Sequence, residues 1–337
     1  MRKVYSMFSR PRCKSVLIFS ITAFFFNIVL LQLITNSSSI KHIQRETTSR
    51  EVPTTKSTYQ CEDWTKTGFR QLPPYFLVAI LVVRIYESDK AKLTALELRQ
   101  WLQFMQYSGC EHVYIYDVYY TKDEAQFDNL KYFIDNGYVT YIDWSHLAKP
   151  YNLHKTKHSA FDHALKVFGK NTTIWQILTD IDEYIFSSED LEPHYLMRYV
   201  KKFQQKYARG SEISISNYLF LGKPAPKEEH SYLTDRLYRI TKKRANNLDK
   251  QIVQVSKAKK NVVHHSMLSS GISIDVKPSE LRLNHYWGAR LQNWGEDTKE
   301  ILEKTQVDES FKPIVDRLIA NSNCPPIPNF YTYPTHR

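Results

Sequence analysis

The sequence predicts an α/β domain on a mixed, mainly parallel sheet flanked by helices and preceded by one transmembrane helix. Three observations carry this. From residue 75 onward short β-rich runs alternate with helical patterns, as βαβ units require. Residues 16–34 pass without a formal charge. The 337 residues are 42% apolar and 24% charged, inside the range of folding proteins and outside the disordered one.

The charge-free run is nineteen residues long, and about 20 apolar residues let a helix cross the hydrocarbon layer. Arg2, Lys3, Arg10, Arg12 and Lys14 precede it, and no charge follows until Lys41, so the basic end is expected to stay cytosolic. A cleaved signal peptide would have a shorter apolar stretch and a small-residue cleavage site. The expected organisation is a cytosolic tail over 1–14, a signal anchor over 15–35, a polar stem over 36–60, and a lumenal catalytic domain over 61–337. Without the five basic residues of the flank, the excess of Lys and Arg over Asp and Glu falls from 11 to 6. A lumenal domain meets no nucleic acid, so this surplus fits anionic small molecules or plain solubility. Cys61, Cys110 and Cys324 fall on the lumenal side, where disulfides persist. Three pairings are possible, with Cys61 and Cys324 one candidate. Asn36 and Asn171 head glycosylation sequons, and Asn171 is the usable one.

Each element follows in order. Residues 75–84 (YFLVAILVVR) read as a fully buried first strand, and 94–107 as a helix with Leu96, Trp101, Leu102 and Met105 at helical spacing. Residues 112–117 (HVYIYD) form a second strand. A helix over 123–135 ends at Asn136-Gly137 and leads to a third strand over 139–143. Another helix spans 156–168, stopped by Gly169. Residues 173–179 (TIWQILT) are a strand apolar enough to be buried on both faces. Beyond Tyr207 shorter strands are expected over 212–216, 237–242, 252–256 and 281–285, then helices over 297–305 and 310–320.

Several chemistries are excluded. The closest of the nine glycines lie seven apart, which leaves no room for a dinucleotide or P-loop fingerprint. Zincin, zinc-ribbon and hydrolase-elbow motifs are also missing. His154, His158 and Asp162 share one helix face but lack a matching partner motif for zinc. A sulfotransferase is disfavoured because Gly169-Lys170 precedes a strand rather than opening a helix.

What remains is the run Asp180-Ile181-Asp182-Glu183 at the carboxyl end of the strand over 173–179. Ligands of open α/β sheets bind at that end. Two carboxylates at i and i+2 leaving a buried strand can point to one side, which suits Mn²⁺ or Mg²⁺. Such an ion takes one or two carboxylates and fills its remaining positions from water and a diphosphate.

The run WQILTDIDEYIF resembles the signature of glycosyltransferase family 92 and of neighbouring family-2-like transferases. LRQWLQFMQYSGCEHVYIYDVYY, VVHHSM and LRLNHYW resemble further segments of that family, so the likeness covers about 76–287. It implies a GT-A-type nucleotide-diphosphosugar transferase fold and a type II Golgi membrane enzyme. The implied reaction is an inverting, metal-dependent transfer of a hexose, most simply galactose, from a UDP-sugar to a glycan or glycoprotein acceptor. On this resemblance Asp180, Asp182 and His285 are the expected metal site. Asp180, Asp182, Arg84, Glu87, Asp117 and His265 are the expected donor contacts. Arg84-Ile85-Tyr86-Glu87 lacks the Asn that often precedes this Glu in relatives, and Lys157 stands where a Gln is expected. Both departures bear on donor preference.

An inverting transfer also needs a base within about 3 Å of the acceptor hydroxyl. Glu183, Glu296, Asp297 and Asp275 are all candidates, and Trp287 and Trp294 are candidates to stack on sugar faces. The competing expectation is a membrane-tethered glycan- or nucleotide-binding protein of the same fold that lacks catalysis.

Overall fold

The first strand, β1 (Tyr75–Val83), is buried almost throughout, and it lies between two parallel neighbours. These are β2 (His112–Asp117) and β4 (Thr173–Thr179), with β3 (Val139–Asp143) parallel to β2 beyond it. The computed structural model describes residues 61–64, 73–86, 93–148, 153–227, 229–230, 232–290 and 295–322. All of these fall in one compact unit, Tyr59–Arg337. The expected tail, anchor and stem lie outside the described residues. Among the described residues no helix is long and apolar enough to cross a membrane.

The central sheet has seven strands in the order β12-β6-β9-β4-β1-β2-β3. Here β6 is Gly210–Ile215, β9 is Lys250–Gln254 and β12 is Ile272–Asp275. Strand β9 runs antiparallel to both β4 and β6, while β6 and β12 are parallel. The sheet is therefore mixed and mainly parallel, as expected. A second sheet of three strands has the order β5-β13-β7, from β5 (Glu183–Phe186), β7 (Asn217–Leu219) and β13 (Arg282–His285). Two short ribbons pair β10 (Ala258–Asn261) with β11 (Ser266–Leu268), and β8 (Arg239–Thr241) with β14 (Thr305–Val307).

Helix α1 (Ala95–Ser108) begins at a capping box. Thr94 Oγ1 accepts from the Leu96 amide at 3.2 Å, and Glu97 Oε2 accepts from the Thr94 amide at 2.8 Å. It ends at Gly109, whose φ of 98° a side chain would resist. Its inner face buries Leu98, Trp101, Leu102 and Met105, each worth roughly 1.5 to 3 kcal/mol or more on leaving water. Helix α2 (Phe127–Asp135) is shorter than expected, because 122–124 form a separate helical turn.

Helix α3 (Leu153–His163) departs further. It continues through a π segment, Ala164–Gly169, and a last turn, Lys170–Thr172, before β4. Gly169 does not stop it. A Cβ there would lie 2.9 Å from Gln176 Nε2 and from Val255 Cγ1, so the glycine admits a close approach of helix to sheet. Helix α4 (Tyr195–Lys206) packs Leu196, Val200 and Phe203 inward. The chain closes with α5 (Leu233–Arg236), α6 (Lys299–Lys304) and α7 (Lys312–Ser322).

Cys61 is disulfide-bonded, and its partner lies outside the described residues. Cys110 is a buried free thiol, which removes both pairings that used it. The Glu62 amide donates to Asn321 Oδ1 at 2.9 Å, so Cys61 lies beside the end of α7. That agrees with Cys324 as the remaining candidate.

Candidate functional site

Because β1, β2 and β4 are parallel, Arg84, Asp117 and Asp180 leave or end the sheet at one edge. The antiparallel β9 begins at this same edge with Lys250. After β4 the chain turns through Ile181-Asp182 into β5, and β13 returns beside it with His285 opposite Glu183. The Tyr286 amide donates to the Asp182 carbonyl at 2.9 Å and fixes the turn against β13.

Three carboxylates, two ammonium groups and an imidazole meet here. Lys157 Nζ lies 2.5 Å from Asp180 Oδ1, and Lys250 Nζ lies 2.9 Å from Asp180 Oδ2 and 3.0 Å from Glu183 Oε2. Burial would raise the Asp180 pKa, but the charges of Lys157 and Lys250 outweigh it and hold the carboxyl well below its usual range. Burial would likewise discharge Lys250, yet Asp180 and Glu183 keep its pKa above the ordinary lysine value. His285 Nε2 lies 3.2 Å from Asp182 Oδ2, and its Nδ1 lies 3.6 Å from Glu183 Oε1. Asp182 is fully buried and His285 is nearly so.

This geometry revises several expectations. Each Asp180 oxygen accepts from an ammonium group, Oδ1 from Lys157 and Oδ2 from Lys250. Glu183 is poorly placed as a base. Its Oε2 accepts from the Asp180 amide at 2.9 Å, from Thr179 Oγ1 at 3.1 Å and from Lys250, and the residue is 2% exposed. It orients its neighbours instead. Asp275 ends β12, three strands from β4 in the sheet order, or roughly 14 Å at the usual strand spacing. Of the histidine pair, His264 bonds the Asp249 carbonyl through Nδ1 at 3.2 Å, and Lys250 adds to the burial that lowers its pKa. His265 is exposed.

Glu296 and Asp297 are exposed and lie in the turn before α6. Asp297 Oδ1 accepts from the Lys223 amide at 3.0 Å beside Gly222. Gly288, three residues past His285, packs against Gly222, so this turn flanks the His285 end of β13. Trp287 packs edge-on to His285 with ring centres 5.0 Å apart. Glu87, Trp294 and Cys324 lie outside the described residues.

At the ends of β1 and β2, Arg84 lies over the rings of Tyr86 and Tyr120, 4.9 and 4.5 Å from their centres, and Nη2 donates to the Tyr120 hydroxyl. Asp117 is 1% exposed. Its Oδ2 accepts from the Gln126 amide at 2.6 Å and from the Tyr141 hydroxyl at 2.8 Å, while buried Oδ1 has no hydrogen-bond partner among the described residues. Burial pushes its pKa up to about 6 against these two donors. A cavity of about 280 Å³ lined by Tyr199, Lys202, Lys206 and Glu280 shares no residue with either group.

Sequence reasoning missed Lys250. Lys250 reads as an ordinary strand-start lysine, 70 residues from Asp180, and nothing local marks it.

The parallel strands thus deliver an acidic cluster with fixed counter-charges to one edge of an α/β sheet. The family follows from the sequence. Residues 90–322, more than half of the chain, match glycosyltransferase family 92, and the chain belongs to that family. No curated protein matches the sequence. Among solved structures, it is similar to 4-diphosphocytidyl-2C-methyl-D-erythritol synthase from Anaerococcus prevotii. The identity is 10% over 68% of this chain and 96% of that one, at a TM-score of 0.30. It is also similar to a UDP-glucose pyrophosphorylase complexed with UDP-glucose, at 12% identity over 62% and 74% of the two chains and a TM-score of 0.25. Likenesses this distant carry no argument about the site.

Proposed function

We propose that this glycosyltransferase is a GT-A-type enzyme that moves a hexose, most simply galactose, from a UDP-sugar to a glycan or glycoprotein acceptor with inversion, assisted by Mn²⁺ or Mg²⁺. The observation that carries the reading is the pair Asp182 and His285, brought within 3.2 Å by β5 and β13 at the edge where β4 ends. The proposed setting is the Golgi lumen, with residues 15–35 as the membrane anchor.

The residues present fit a divalent ion. Among the described residues no three His, Cys, Asp or Glu side chains are grouped to hold one. Asp182 and His285 would supply two protein ligands, and an ion of this kind takes its remaining ligands from water and a diphosphate. With His285 neutral, three carboxylates against two ammonium groups leave one negative charge in the cluster. A bound ion would neutralise the nucleoside diphosphate as it leaves.

The chain's own residues do the rest. Lys250 and Glu183 lock the strand ends, so Asp182 is held in place before donor arrives. Asp117 offers the imide N–H of uracil a buried acceptor, and Arg84, stacked between two tyrosines, gives the nucleotide a cationic wall. Glu296, exposed beside the His285 end of β13, is the base this reading assigns.

The test is a donor screen with the full chain over UDP-galactose, UDP-glucose, UDP-N-acetylglucosamine and UDP-glucuronate, following UDP release with and without acceptor glycans. Metal-dependent turnover of one donor is the expected result. UDP binding without turnover of any donor would favour the non-catalytic reading.

A further inference from the structure

The two lysines on Asp180 differ in what they are free to do. Lys250 is 2% exposed and bridges two carboxylates, so its charge is committed to the fold. Lys157 reaches the cluster from helix α3, its side chain is 16% exposed, and Asp180 is its one carboxylate partner among the described residues. An ammonium group carries three N–H donors, and Lys157 spends one on Asp180 Oδ1. Lys157 is therefore a partly exposed ammonium group at the edge of the cluster, held in place by one carboxylate and with two N–H donors beyond that bond.

We propose that Lys157 is a resident cation of the donor site, the group that meets the diphosphate of the nucleotide and holds part of it without any divalent ion. This rests on the donor-site reading above. An anion approaching the edge finds Lys157 pre-oriented by Asp180, with two N–H donors for phosphate oxygens. The divalent ion, if held by Asp182 and His285, then adds to an affinity that is already present.

The test is calorimetric titration of UDP into the full chain, in EDTA and in Mn²⁺. Wild type binds UDP in EDTA. Lys157→Gln lowers that metal-free affinity about tenfold or more and the affinity in Mn²⁺ by less, while Lys157→Arg, which keeps the charge, retains most of it. Wild type that binds UDP only with Mn²⁺, or a Gln variant that matches wild type in EDTA, overturns the role of Lys157 and leaves the donor site standing. No UDP binding by wild type in either buffer overturns both. If Lys157→Gln fails to fold, Lys157→Met takes its place, and a folded Met variant that matches wild type in EDTA overturns the role of Lys157.

Discussion

Asp117 and Asp180 lie at the carboxyl ends of the two strands that flank β1, yet they are held in opposite states. Asp180 is gripped by two ammonium groups that hold its pKa far down, while Asp117 meets only neutral donors and its pKa rises to about 6. Burial would raise both, so partner chemistry decides. The β4 end is built around fixed charge. The β2 end keeps an acceptor oxygen in reserve.

The largest effect expected from breaking this contrast is at Lys250. Lys250→Met leaves Asp180 and Glu183 without their shared buried cation, and removing one partner of such a group costs about 3–5 kcal/mol. Chemical denaturation should show a midpoint far below wild type. An unchanged midpoint would mean that the cluster is not the electrostatic unit described. At Asp182, substitution by Asn keeps shape and removes charge. Turnover of the donor should fall about 10²- to 10³-fold, the scale of losing one transition-state electrostatic contact, with thermal melting near wild type. Full activity in the Asn variant would remove Asp182 from the machinery.

The base gives a split readout. Glu296→Gln should lower kcat by about 10²-fold or more with little change in the donor KM, and a change confined to KM would return the residue to donor binding.

Asp117 sharpens the comparison from its weaker side. Its folded pKa, about 6, lies above the ordinary 3.8, so it takes up a proton on folding between these values. The stability this gives is full below about 3.8 and is lost as pH rises through about 6. Asp117→Asn should flatten that part of the stability profile and cost UDP binding about 1–3 kcal/mol through the lost acceptor. A profile identical to wild type would show that Asp117 does not titrate as described.

Much of this architecture was legible, and the parts that were not share a cause. Strands β2, β3 and β4 lie where alternation and apolar runs put them, because buried parallel strands leave dense local signals. Helix α4 was not read, although Leu196, Val200 and Phe203 have helical spacing, since it opens after a left-handed His194 without a side-chain cap. Gly169 was misread as a stop because its reason is tertiary, the approach of Gln176 and Val255. The same holds at the site. Asp180 and Asp182 stand out by their place after a buried strand and His285 by the family resemblance, whereas the pairing of Lys157 and Lys250 with Asp180 exists only once the chain folds.

The central claim is that Asp182 and His285 hold a divalent ion together with the donor's diphosphate. Paramagnetic resonance of Mn²⁺ titrated with the full chain tests it directly. With UDP present, the free-ion signal should fall as wild type is added and persist with Asp182→Asn. Equal loss of signal with both proteins, or no loss with either, would contradict the account.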